Sequence, residues 1–191
     1  MKQIVIEGKA PWGSLYHFFP EGKEQLGIAA VKRYGERYNS LIAHKFRQAL
    51  GPLEALNDLF ASTTKDLLDS EFSDGCPIMA IALDAMNASE SIRQACAEVI
   101  DGWVRALAFG LVDYGMDEIS ATDTATFIIG ALEGAITLSR ITRSTLPLAK
   151  AADMSAMIVL IVLNGIKNEK SDPNKPLFEA PLESDLIQGA N

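Results

Sequence analysis

Apolar residues recur at spacings of three and four along almost all of this 191-residue chain, and no stretch alternates apolar with polar side chains at period two. Side chains return to one face every ~3.6 residues on a helix and every ~2 on a strand, so the pattern predicts an all-α fold. Helix-breaking residues divide the pattern into segments. Residues 23–50 form one long helical stretch, ended by Gly51 and Pro52, and Pro52 suits the first turn of a helix running through Leu53, Leu56, Leu59, Phe60, Leu67 and Leu68. Ser73-Asp74-Gly75-Cys76-Pro77 interrupts the chain before a short helix over 78–86. Asn87 or Ser89 can cap the next helix, whose stripe is Ile92, Cys96, Val99, Trp103, Leu107, Leu111 and Tyr114, with Gly115 as its stop. Ser120-Ala121-Thr122-Asp123 has the spacing of a capping box and opens a helix to about Thr145, and Pro147 starts a last helix that reaches Lys167. Residues 168–191, with three prolines, five acids and two lysines, are expected to be a flexible acidic tail.

Charge narrows the partners. Twenty-five acids against 17 lysines and arginines leave a net charge of −8, which argues against broad binding to nucleic acid or anionic membranes. The charge is unevenly placed: residues 1–24 hold three lysines and three glutamates, and the remainder carries the whole −8. Two cysteines, Cys76 and Cys96, suggest no disulfide framework, fit a reducing cytoplasm and read as small buried hydrophobes. No signal peptide is visible, and the longest apolar run, between Asp153 and Lys167, is shorter than the ~20 residues a bilayer requires. A helix apolar on every side is then expected in a core or between subunits.

The N-terminal segment carries the informative motif. Residues 2–7, a turn at 8–10 and residues 11–18 fit two short helices, the second presenting Trp12, Gly13, Ser14, Tyr16 and His17. Ser14, Tyr16 and His17 can bond bases or phosphates, Gly13 allows close backbone approach, and Lys23 stands where a helix start and an ammonium group jointly hold a phosphate. Phe18 and Phe19 are expected in the core.

Gly13-Ser14-Leu15-Tyr16-His17-Phe18-Phe19-Pro20, with Lys23 beyond, resembles the recognition helix of the TetR family of bacterial repressors and its link to the next helix. Gly75-Cys76-Pro77, Ile92-Arg93-Gln94-Ala95-Cys96 and Ala131-Leu132-Glu133-Gly134-Ala135 resemble the ligand domain of the LmrA/YxaF-like branch. The resemblance spans roughly residues 2–167. It implies a homodimer on a palindromic operator, released by a small, largely apolar or aromatic effector. It also implies a partial helix-turn-helix head at 1–24, since family members carry a further helix and basic arm before the segment that starts here at Met1, followed by a ligand-binding and dimerisation domain at 25–167. Family members usually have Lys or Arg where Trp12 stands. A ligand-responsive repressor is therefore expected, and a DNA-incompetent ligand-binding or heterodimerising protein on the same scaffold is the alternative.

By the same analogy, Trp103, Leu107 and Phe127 converge on an effector pocket, with Phe60, Met79, Met86 and Tyr114 nearby; plain core packing explains them equally well. The two last helices are too apolar for a monomer surface, so Ile128, Ala131, Leu132, Ala135, Ile158 and Ile161 are expected at an isologous four-helix dimer interface. Glu133, inside an apolar run, reads as a polar group at that seam or in a pocket. No catalytic motif, metal-ligand spacing or cofactor loop is present, and His44 reads as a surface or satisfied polar residue.

Overall fold

The computed structural model describes residues 2–9, 11–85 and 89–165. They form α1 (Lys2–Glu7), α2 (Trp12–Phe18), α3 (Lys23–Gln48), α4 (Pro52–Asp69), α5 (Pro77–Ala85), α6 (Glu90–Asp113), α7 (Glu118–Thr142) and α8 (Leu146–Gly165), with no strand among the described residues. The expected acidic tail at 168–191 lies outside them, and the expected boundary after residue 24 falls within the first turn of α3.

Local chemistry sets the helix ends. Pro52 stands in the first turn of α4, where its missing N–H costs nothing. Ser89 caps α6 by accepting from the Ile92 N–H at 3.2 Å. The cap of α7 differs from the expected Ser120–Asp123 box: Asp117 fills the role three residues earlier, accepting from the Ser120 N–H at 2.9 Å. Gly115 immediately upstream breaks the chain, so the first available carboxylate takes the N-cap and Ser120 becomes helical. Between α2 and α3, Gly22 has φ 79° and ψ −137°, a conformation that side chains with a Cβ avoid.

The helix contacts close into a ring: α3 packs on α6, α6 on α7, α7 on α8, α8 on α4, and α4 back on α3, with α5 against α6 and α3. Two glycines bring α3 and α6 together reciprocally. A Cβ on Gly35 of α3 would collide with the Val99 side chain of α6, and a Cβ on Gly110 of α6 would collide with the Phe46 ring of α3. The pair is pinned by two polar crossings. Trp103, 1% exposed, donates its indole N–H to the Gly35 carbonyl at 3.0 Å, and the Tyr114 hydroxyl lies 2.9 Å from the carbonyls of both Phe46 and Ala49.

Helices α7 and α8 are two-sided. Ile128, Leu132 and Ala135 of α7, expected at a subunit seam, are buried within their own protomer. A stripe three to four residues out of phase, Phe127, Leu138 and Ile141, faces outward with the open glycines Gly130 and Gly134 between. On α8, Leu148, Ser155 and Val159 face inward while Met154, Met157, Leu160 and Ile161 are exposed. Both helices have the length and apolar composition of a membrane span, at mean hydropathies of 1.2 and 1.9. That corrects the expectation of a run too short to cross: α8 starts at Leu146, so its apolar residues before Asp153 join the stretch.

Candidate functional site

Two regions carry chemistry, and α3 belongs to both.

The first is the α1–α2 head. Val5 of α1 and Leu15 of α2 are buried, which holds the short helices to the body. Gly13, Tyr16 and His17 are exposed on α2, and Lys23 is exposed at the start of α3. The Ser14 hydroxyl donates to the Pro11 carbonyl at 2.6 Å, so only its lone pairs remain for another partner. Trp12 opens α2, and its side chain lies outside the described part. Phe18 departs from its expected core position: it is 68% exposed, its ring edge-on to His17 at 5.1 Å, while Phe19 is half-buried. The seven residues of α2 make about two turns, so Leu15 takes the inward position and Phe18 cannot share it.

The second region is an open cleft of about 1420 Å³ inside the helix ring, between α3, α4, the 70–76 loop, α6 and α7. Its inner wall is aromatic. Tyr34 and Tyr38, one turn apart on α3, stack at 6.4 Å with an interplanar angle of 8°, and Trp103 leans on Tyr38 at 4.8 Å. Thr63 already donates to the Leu59 carbonyl, so in the 3.4 Å Tyr38–Thr63 contact Tyr38 is the donor. The Tyr34 hydroxyl makes no hydrogen bond to the described residues. Burial, with Cys76 and Glu133 nearby, pushes it up to about 12, so it remains a neutral donor at physiological pH.

Glu133 of α7 and Cys76, just before α5, meet in the cleft. Glu133 is 8% exposed, and burial raises its carboxyl above the ordinary value, opposed by a hydrogen bond with Cys76. Burial and the adjacent carboxylate push the Cys76 thiol up to about 12, leaving it protonated and a poor nucleophile. Charges of both signs stand around the opening: Arg37, Arg47, Lys65 and Arg140 against Asp66, Asp69 and Asp74. Arg140 straps the 70–76 loop to α7 by donating to the Ser73 carbonyl at 2.7 Å and the Phe72 carbonyl at 3.5 Å. A Cβ at Gly75 would run into that guanidinium, which explains a glycine before Cys76-Pro77.

Of the residues expected to line an effector pocket, Trp103 alone lines this cleft among those described. Phe60 and Leu107 are closed into the core, and Tyr114 is spent on the α3–α6 crossing. Met79 and Phe127 are surface-exposed, and Met86 lies outside the described residues. Glu133 falls in the pocket rather than at a seam. The residues missed, Tyr34, Tyr38 and Cys76, did carry a signal: two tyrosines four apart on one helix face share a neighbour.

Residues 52–154 match the family model described as "Transcriptional regulator LmrA/YxaF-like, C-terminal domain". The HTH-type transcriptional regulator YxaF of Bacillus subtilis (strain 168) is 34% identical over 159 residues, 83% of each chain. The HTH-type regulator LmrA of the same organism is 32% identical over 148 residues, 78% of this chain and 79% of its own. In fold, the chain is similar to a TetR transcriptional regulator from Legionella pneumophila (TM-score 0.71, 21% identity, 82% of this chain and 83% of that one). It is likewise similar to E. coli NemR in its reduced form (TM-score 0.70, 20% identity, 83% and 84%). Helix order, motif and relatives agree: the chain belongs to the TetR family of transcriptional regulators, in its LmrA/YxaF-like branch.

Proposed function

We propose that the protein is an effector-responsive repressor that works in the cytoplasm as a homodimer on operator DNA. The observation that carries this reading is the double duty of α3. Its middle and end, from Tyr34 to Arg47, form one wall of the cleft, and its first turn holds Lys23 directly after the Gly22 link to α2. A ligand seated on Tyr34 and Tyr38 bears on the same rigid helix that carries the reading head. Near that head, the Ser89 hydroxyl at the cap of α6 donates to the Glu24 carboxylate, so α6 and α3 share a second joint. TetR-family regulators act as dimers, and the outward faces of α7 and α8 suit an isologous four-helix seam. Two heads then address half-sites about 34–36 Å apart, and an effector that binds one spacing of the heads more tightly shifts the population.

Fluorescence anisotropy with DNA from upstream of the protein's own gene tests the reading. The purified dimer is expected to bind one palindromic fragment, and Tyr16→Ala and Lys23→Ala are expected to weaken it. Lys23→Ala should also reduce the slope of log affinity against log salt by about 0.9 for the lost phosphate contact. Failure of the protein to bind any such fragment, with its fold intact, would favour a ligand-binding protein without an operator.

A further inference from the structure

We infer that the cleft takes an organic cation with an aromatic or extended apolar body, its positive centre seated against Glu133 and its rings on Tyr34 and Tyr38. The inference rests on the cleft being the effector site, and names the chemistry of what enters it.

The argument begins with an electrostatic account that the protein's own residues leave open. A buried carboxylate is costly without a compensating charge or several strong donors. Glu133 is more than nine-tenths buried, and the weakly donating Cys76 thiol is its hydrogen-bonding neighbour. No lysine, arginine or histidine among the described residues forms a salt bridge with it. The cations that line the same cleft are otherwise engaged or outward. Arg140 is committed to the Ser73 and Phe72 carbonyls, Lys65 pairs with Asp69, and Arg37 is exposed near Tyr34.

What surrounds Glu133 favours a cation in particular. Tyr34, Tyr38 and Trp103 form one aromatic group in the same cleft, with Tyr34 and Tyr38 incompletely buried and therefore accessible. Aromatic faces carry negative quadrupole potential and attract a positive centre, most strongly where water is excluded. An anionic ligand would meet the opposite conditions: a buried like charge at Glu133 and no free guanidinium beside it. A purely apolar ligand would fill the aromatic wall and leave the carboxylate desolvated and unpaired, a loss that counts against it. The cleft volume of about 1420 Å³ admits a multi-ring body beyond the cationic head.

The test uses the full-length dimer and a matched pair of probes, naphthylmethyl-trimethylammonium and its neutral isostere neopentylnaphthalene, which differ by nitrogen against carbon. Calorimetry is expected to show the cation binding at least about tenfold more tightly than the isostere. Glu133→Gln is expected to abolish that preference while leaving the isostere within about twofold, and Tyr38→Leu to weaken the cation by about tenfold. Equal binding of the two probes, or a preference that survives Glu133→Gln, overturns the proposal. Should Glu133→Gln fail to fold, a cation preference unaffected by Tyr38→Leu overturns it instead. Operator affinity measured beside the calorimetry separates this inference from the reading beneath it. If both probes release DNA without cation preference, the effector cleft stands and the cation falls. If a Glu133-dependent cation preference leaves operator affinity unchanged, the cation site stands and the effector reading falls.

Discussion

Trp103 donates its indole N–H to the carbonyl of Gly35, joining α6 to α3 at the point where the cleft begins. The same side chain is almost wholly buried and packs against Tyr38 at 4.8 Å, so one residue fixes the two central helices and backs the aromatic wall. Trp103→Phe keeps an aromatic ring but loses the hydrogen bond and part of the volume. A loss of about 2–4 kcal/mol of unfolding free energy is expected, from the unmade bond and the residual cavity together. Urea unfolding of the dimer at fixed protein concentration measures it, and a change below about 0.5 kcal/mol would exclude this role for the indole.

Gly35 makes a second, independent prediction. Its missing Cβ is the space into which Val99 packs, and a β-branched side chain has few rotamers with which to retreat. Gly35→Ala, which would raise helix propensity at an unhindered site, is here expected to destabilise by about 1–3 kcal/mol. Val99→Ala opens the space again, so the double variant should be more stable than the sum of the single losses predicts. Strict additivity would mean that the two residues do not share the contact.

The sequence made the helix order and most boundaries readable because apolar periodicity, proline and glycine act locally. The DNA-reading motif was readable for the same reason: Gly13 to Lys23 is contiguous, and its exposed members follow from one short helix. Which apolar residues line a cavity depends instead on how five helices close into a ring, and periodicity marks a buried face without saying what it faces. Leu107 and Trp103 share one stripe of α6, yet Leu107 is sealed in the core while Trp103 reaches the cleft. The dimer face was misread for a related reason. Alpha7 is apolar on nearly every side, so the sequence could not divide Ile128 and Leu132, which face the protomer's own core, from Phe127 and Ile141, which do not.

Glu133 predicts a pH dependence whose sign follows from its burial. Its native carboxyl is raised above the ordinary value of 4.5, so the native state holds the proton more tightly than the unfolded chain. The corresponding stability is fully present below that ordinary value and is lost as pH rises through the native one, at about 1.4 kcal/mol for each unit of separation. Glu133→Gln does not titrate. Its stability relative to the wild-type protein is therefore expected to rise from about pH 4 toward neutrality, read from urea midpoints at a series of pH values. A difference that stays constant across that range would show that the carboxylate suffers no net penalty in the cleft.

Arg140 predicts a local rather than a global effect. Its side chain is exposed, so its charge contributes little to stability, but its donors hold the carbonyls of Phe72 and Ser73. Nearby, Glu71 and Phe72 adopt left-handed backbone angles, with φ of 50° and 61°, which ordinary side chains leave readily when released. Arg140→Ala is expected to change unfolding free energy by less than about 1 kcal/mol while amide exchange across residues 70–76 accelerates about tenfold. Lysine at this position has one donor group in place of a planar fork and should not restore protection. Unchanged exchange would mean the loop is held by its own turns alone.

The outward faces of α7 and α8 separate two kinds of charge substitution. Ile161 is 62% exposed in the protomer, whereas Ile128 is fully buried, although both lie on helices apolar enough to be mistaken for uniform. Burying a side chain such as Ile161 against a second copy is worth about 1.5–3 kcal/mol, and Met157, Leu160, Leu138 and Ile141 add to the same face. Ile161→Asp together with Leu160→Asp is therefore expected to give a folded monomer: helical circular dichroism retained, sedimentation shifted from dimer to monomer, and operator binding lost because the two heads are no longer linked. Ile128→Asp buries a charge in the protomer core and is expected to unfold the chain outright. A dimer that survives the α8 double substitution would remove this face from the interface, since two carboxylates per protomer, brought together with two more across a two-fold axis, cannot be accommodated there dry.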